Sequence, residues 1–221
     1  MSYQNSYTYL NESVPNKTLK NTLSLLALTT AFSALMAFVN MHLGINVGPL
    51  ISIAIYFGLI FLLNMVKDSG GAIFVAFAIT GWLGFMLGPI LNHYVKMEHG
   101  YGIIINAFLG TALTFAATSF YAYKNKPTIK GVWMSNLFWI SLVAMGLSLV
   151  NYYFFHMTII SILISVVFLA ISVLYLTFEM SRIFKNEPGI NYVLATVGIF
   201  VSLYNIFMSL LNILGFVNSR D

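Results

Sequence analysis

Seven apolar stretches, each about 20 residues long, alternate with short polar connections along the chain. Because the hydrocarbon core of a bilayer is about 30 Å thick, each stretch is long enough to cross it as an α-helix. The pattern predicts spans at 21–43, 47–66, 71–91, 102–123, 132–155, 157–180 and 192–217. We therefore predict an all-α membrane protein in which residues 21–221 form one domain of seven transmembrane helices.

The first 20 residues differ in composition from the rest of the chain. They are rich in Asn, Ser, Thr and Tyr and contain few large aliphatic side chains. Such a segment cannot bury an apolar core, so residues 1–20 are predicted to form a disordered tail. The segment also lacks the pattern of a removable signal peptide, and the first membrane helix is expected to act as the targeting signal.

Composition excludes several classes of function. Hydrophobic residues make up 59% of the chain and charged residues 7%, against roughly 25% charged residues in a soluble domain. The ten basic residues are too dispersed for the basic face that nucleic acid requires. The chain has no cysteine, which excludes thiolate nucleophiles and cysteine metal ligands. Since it also lacks zinc-helix, nucleophile-elbow and phosphate-loop motifs, we expect neither an enzyme nor a cofactor.

The basic residues are divided unequally between the two sides of the predicted bundle. One side holds only Lys96 and Arg220, and the other holds Lys17, Lys20, Lys67, Lys124, Lys126, Lys130, Arg182 and Lys185. Basic residues in short loops are retained in the cytoplasm, so this asymmetry predicts a cytoplasmic N-terminus and an external C-terminus. A missed or additional span would mix the two groups, which supports the number seven.

All four histidines fall in connections assigned to the external side: His42, His93, His99 and His156. Imidazole binds transition metals and titrates near neutral pH, so an external metal or pH-sensing cluster is one interpretation. The other is that polar residues avoid lipid and share this side by chance. No pair has the spacing of a zinc-binding helix, which favours chance, and no metal site is predicted.

Small and polar residues form a stripe along the last span, at steps of three and four: Asn191, Ala195, Gly198, Ser202, Asn205, Ser209 and Asn212. Neighbouring helices can approach Gly and Ala closely and hydrogen-bond the amides, whereas lipid cannot. The last helix is therefore predicted to be central, surrounded by the other six. The stripe also allows a hydrated path through the bundle, and both interpretations stay open.

Glu179 is the only acidic residue placed within a predicted span. Acidic side chains at membrane depth are costly and are often functional. Glu179 lies one turn before Arg182, near the end of its span, so an ion pair at the membrane surface is an adequate structural explanation. If it is buried, it can act as a proton-sensitive latch against the last helix.

Several short runs resemble the Bax inhibitor-1 family, most of all its bacterial YccA branch: GWLGFMLGPILN at 81–92, LGTALTF at 109–115, FEMS at 178–181, VSLYNIF at 201–207 and ILGF at 213–216. The resemblance extends from Leu19 to the C-terminus. It implies a seven-helix bundle with a central last helix in a bacterial inner membrane, where the external C-terminus predicted from the basic residues would lie in the periplasm. It also implies association with the ATP-dependent membrane protease FtsH, and it leaves open an association with HflK and HflC.

The resemblance offers two functions. In the first, the chain binds and occupies FtsH as a modulator, with Ser2, Tyr3, Tyr7 and Tyr9 in the tail that the protease engages. In the second, the chain is a pH-gated calcium or proton leak channel with Glu179 as its gate.

Some family members resemble channels gated by two acids, one on each of the last two helices. The first acid matches Glu179, but the second position matches Ser202, which carries no charge. A two-carboxylate latch is therefore not expected, and the protease modulator is favoured. A single-acid latch made of Glu179, Arg182, Ser202 and Asn205 remains an expectation.

Overall fold

The computed structural model describes residues 17–127 and 131–218, and of residues 131–135 it describes only the backbone. The described chain forms seven helices: α1 (Lys17–Leu43), α2 (Pro49–Val66), α3 (Gly71–Val95), α4 (Gly100–Asn125), α5 (Gly131–Val150), α6 (Thr158–Phe184) and α7 (Tyr192–Asn218). A π-helical turn, Asn151–Phe155, extends α5. All seven are long and apolar enough to cross a membrane. The predicted all-α membrane fold with seven spans is confirmed.

Helix α7 forms the centre of the bundle, as predicted. Eleven of its 27 residues are buried, more than in any other described helix. It packs closely against α1, α3, α4 and α6. The expectation that all six other helices surround it is wrong, because α2 packs mainly against α3 and α5 mainly against α6. Helices α2 and α5 therefore lie at the periphery.

Helices α1 and α3 make the closest backbone approach in the part of the bundle that is described. Three glycines at spacings of three and four, Gly81, Gly84 and Gly88, turn one face of α3 toward α1. A Cβ atom at Gly84 would overlap the backbone and hydroxyl of Ser33, and one at Gly88 would crowd the backbone of Ala37. Small residues allow such contact between membrane helices.

Hydrogen bonds tie the connections together at the end of the bundle where α1 begins. Ser181 Oγ donates to the Pro127 carbonyl oxygen at 2.7 Å, and Lys185 Nζ donates to the same oxygen at 3.0 Å. Asn191 Nδ2 donates to the Lys67 carbonyl oxygen at 2.6 Å. We call this the basic end, since seven of the eight described basic residues lie there.

The opposite end carries all four histidines and Lys96, and we call it the histidine end. There Asn218 Nδ2 donates to the Glu98 carbonyl oxygen at 3.1 Å, which joins the last turn of α7 to the connection between α3 and α4. No group of three or more His, Asp or Glu side chains in the described part of the chain could hold a metal ion.

Candidate functional site

Glu179 lies on α6 about one and a half turns before its end, and it faces α7. Its side chain is buried. Oε1 lies 3.5 Å from a guanidinium nitrogen of Arg182, the residue one turn later. Oε2 is sealed from solvent and has no hydrogen-bond partner among the described residues. The ion pair expected from the spacing is therefore present, but it includes a carboxylate inside the bundle and not at its surface.

Gly198 makes room for this carboxylate on α7. A Cβ atom at Gly198 would lie 3.7 Å from Cγ and 3.9 Å from Cδ of Glu179, within ordinary van der Waals contact. The carboxylate thus lies directly against the glycine backbone of the central helix. Sequence spacing alone placed Gly198 in the stripe but did not identify it as the residue opposite Glu179.

Arg182 joins two acidic residues. In addition to Glu179, it contacts Glu187, whose Oε2 accepts a hydrogen bond from Arg182 Nε at 3.1 Å. Its guanidinium carbon also lies 5.3 Å from the ring centre of Phe178. Glu187 follows α6. The backbone turns toward Arg182 at Asn186, whose φ of 52° is in the left-handed region. Sequence reasoning missed Glu187, although this turn-forming Asn in the connection was a signal.

Ser202 and Asn205 do not complete the expected latch. Ser202 Oγ donates to the Gly198 carbonyl oxygen of its own helix at 2.9 Å. The Asn205 amide has no hydrogen-bond partner among the described residues. The prediction that Glu179 hydrogen-bonds to either residue is wrong, because Gly198 is the residue opposite the carboxylate and Ser202 is one turn further along α7.

Asn205 instead lies where two cavities meet. The first, a groove of about 550 Å³, is lined by residues of α2, α3, α5, α6 and α7. The second, of about 360 Å³, lies toward the histidine end between α3, α5, α6 and α7. Asn205 and Phe168 line both. The stripe on α7 therefore has two roles: Asn205 faces open space, whereas Asn212 Nδ2 donates to Ser165 Oγ of α6 at 2.8 Å.

The groove also contains polar side chains that sequence reasoning missed. Tyr56 of α2, Tyr175 of α6 and Tyr204 of α7 line it together with Asn205. A hydroxyl near the middle of an apolar span was a signal for Tyr56 and Tyr204, and Tyr175 lies one turn before Glu179 on the same span. The tail residues Ser2, Tyr3, Tyr7 and Tyr9 lie outside the described residues.

A family model described as inhibitor of apoptosis-promoting Bax1 matches residues 15–219. The chain belongs to the Bax inhibitor-1 family. This membership confirms the resemblance seen in the sequence motifs. Several relatives match this chain along most of the length of both proteins. The Escherichia coli K12 protein named modulator of FtsH protease YccA is 38% identical over 207 residues, which are 93% of this chain and 92% of that protein.

Two further relatives show similar coverage. The inner membrane protein YccA of Escherichia coli O6:H1 has the same identity and coverage as the K12 protein. An uncharacterized protein of Pasteurella multocida is 40% identical over 191 residues, which are 86% of this chain and 84% of that protein. The match to the family model, residues 15–219, extends over all seven helices and the site around Glu179.

Proposed function

We propose that the chain is an inner-membrane modulator of the protease FtsH that acts by binding and occupying it, and that it has no enzymatic activity. The observation that carries this proposal is the 38% identity to the Escherichia coli modulator of FtsH protease, since the match includes more than nine tenths of both chains. The name of the inner membrane relative supports the location.

A densely packed bundle supports the occupying role. Helix α7 is buried among four neighbours, and α1 contacts α3 through backbone at Gly84. The connections at the basic end are hydrogen-bonded to α6 and to Asn191, the residue before α7. A protease that pulls a membrane protein from one end must separate such contacts before it can proceed. We infer that the bundle resists extraction and keeps the protease engaged.

The tail is our candidate for the first contact with the protease. It precedes α1, whose first residue is Lys17, and Ser2, Tyr3, Tyr7 and Tyr9 are its candidate contact residues. The excess of basic residues at the end where α1 begins supports a cytoplasmic N-terminus and a periplasmic C-terminus. An association with HflK and HflC is an extension of the same proposal.

A pulse-chase experiment with three forms of the chain tests this role of the tail. The forms are the full chain, a deletion of residues 2–15, and the same deletion refilled with an unrelated Ser/Gly/Asn sequence of equal length. In cells with active FtsH, we expect the deletion variant to survive longer than the full chain, because the protease loses the segment at which degradation would start. Cells without active FtsH are the control, and all three lifetimes should be equal there.

The refilled form separates two modes of engagement. If only length and disorder matter, it should be degraded like the full chain. If tyrosines such as Tyr3 and Tyr7 are recognised, it should be as stable as the deletion. Equal lifetimes of all three forms in the presence of FtsH would remove the tail from the mechanism.

A second candidate function is a proton or calcium leak gated by Glu179. It is favoured by the two cavities that meet at Asn205 in the middle of the central helix. Purified protein in liposomes should then conduct, and Glu179→Gln should abolish the leak. No leak over a range of pH would count against this candidate and leave the protease proposal unaffected.

A further inference from the structure

The groove between the peripheral helices α2 and α5 reaches the lipid-facing surface of the bundle. Phe57 of α2 and Phe138 of α5 line it, and both side chains are exposed on the outside of the bundle. Its deepest wall is the central helix α7, which contributes Gly198, Ser202 and Asn205. A molecule dissolved in the lipid can therefore reach the polar stripe of α7 from the side, without passing through either end.

Hydrogen-bonding groups without protein partners are concentrated on the walls of the groove. The hydroxyls of Tyr56, Tyr175 and Tyr204 and the amide of Asn205 make no hydrogen bond with a described residue. Leaving such a group unpaired in apolar surroundings costs about 1–3 kcal/mol. The unpaired polar atoms of Tyr56, Tyr204 and Asn205 are not fully sealed, and Tyr175 is 36% exposed, so a guest can reach these side chains. A guest with a hydrogen-bonding polar group would satisfy them.

The depth of these groups defines where the polar part of the guest must lie. Asn205 is the fourteenth of the 27 residues of α7, and Tyr56 is the eighth of the 18 residues of α2. Both therefore lie near the middle of the hydrocarbon layer. The polar groups of a phospholipid stay at the membrane surface, about 15 Å away, since the whole core is about 30 Å thick. A phospholipid cannot place its headgroup there.

The dimensions of the groove suit a small-molecule guest. It extends along α2 from Ser52 to Asn64, and these twelve helical steps span about 18 Å at a rise of 1.5 Å per residue. Its volume of about 550 Å³ lies within the range of about 300–1,000 Å³ that is usual for small-molecule sites. The groove accepts a slender chain or a flat ring.

Charge further restricts the chemistry of the guest. No charged side chain lines the groove in the described part of the chain. Its polar groups are hydroxyls and side-chain amides, each of which can donate a hydrogen bond to a guest that only accepts. The aromatic rings of Trp82 and Phe168 lie on its walls. An uncharged, flat, carbonyl-bearing compound with an apolar chain matches all of these features.

We propose that the groove between α2 and α5 binds a membrane quinone. The ring lies at mid-depth, where its carbonyl oxygens accept hydrogen bonds from Asn205 and Tyr204, and the apolar chain extends into the lipid between α2 and α5. This site is independent of the protease proposal, since it rests on the groove alone.

Trp82 provides a reporter for the test because it lines the groove and quinones quench indole fluorescence. The full chain in nanodiscs is titrated with decylubiquinone. We expect saturable quenching, which Trp82→Phe removes although the exposed Trp139 remains. Asn205→Leu should raise the dissociation constant at least tenfold, and Tyr204→Phe should raise it severalfold. Tyr121→Phe is the matched control, since Tyr121 is exposed on α4 outside the groove.

Three results would overturn the proposal. Quenching that rises linearly and equally in the full chain and in Asn205→Leu would mean that quinone only dissolves in the lipid. Equal competition by decylbenzene, which has no carbonyl, would mean that the polar groups take no part. Saturable quenching of Trp82 fluorescence by a labelled transmembrane peptide of FtsH, with no saturable binding of quinone, would assign the groove to a partner helix. Circular dichroism verifies the fold of each variant, and Tyr204→Phe serves if Asn205→Leu does not fold.

Discussion

Replacing Gly84 by alanine tests the backbone contact between α1 and α3. The added Cβ atom would overlap the carbonyl oxygen and the hydroxyl of Ser33. The carbonyl belongs to a helix backbone and cannot rotate away. Overpacking of this kind costs about 1–3 kcal/mol, and the better helix propensity of alanine offsets at most about 1 kcal/mol. We expect Gly84→Ala to lower the free energy of unfolding by about 1–2 kcal/mol.

Gly58 provides a matched control on α2. A Cβ atom there meets no atom within 4 Å, so Gly58→Ala should leave the stability unchanged or raise it by up to about 1 kcal/mol. Unfolding by a denaturing detergent in mixed micelles, followed by circular dichroism, measures both variants. Adding Ser33→Gly to Gly84→Ala should recover only part of the loss, because the backbone oxygen remains. If Gly84→Ala is as stable as Gly58→Ala, α1 and α3 do not make this contact.

Three further predictions concern the topology, the buried carboxylate of Glu179 and the start of α7. Because the chain has no cysteine, single-cysteine variants report topology: in intact spheroplasts an impermeant thiol reagent should label Glu98→Cys and not Asn125→Cys, and the reverse pattern would invert the orientation. Glu179→Gln should change the thermal stability little, whereas Glu179→Lys should cost roughly 3–5 kcal/mol by burying a second cation beside Arg182; equal melting temperatures would contradict burial. Asn191→Ala should cost about 1–2 kcal/mol, since its side chain caps α7 through two backbone N–H groups; an unchanged free energy of unfolding would mean that the cap is dispensable.

The seven helices could be predicted from sequence because each requires a long apolar stretch. The first and last residues of the helices were harder to predict. Helix α1 begins at Lys17, four residues before the predicted start, and α3 continues to Val95, four residues beyond the predicted end. Polar residues can continue a helix outside the hydrocarbon layer, where hydrophobicity carries no information about its length. The central position of α7 was predictable because a polar stripe on a membrane helix must face protein.

The site was predictable only where its residues share one helix. The spacing of Glu179 and Arg182 on α6 was enough to predict their ion pair. The position of Gly198 opposite Glu179 depends on the register between α6 and α7, which the pattern of either helix alone does not contain. The groove could not be predicted from the sequence for the same reason, because it results from the separation of α2 and α5.

The rate at which FtsH degrades another membrane substrate tests the central claim most directly. Purified FtsH and a fluorescently labelled membrane substrate are reconstituted in proteoliposomes with increasing amounts of the full chain. If the chain binds and occupies the protease, the initial rate of substrate degradation should fall with its concentration and level off at saturation. A rate that stays constant at a large molar excess of correctly folded chain would contradict the account.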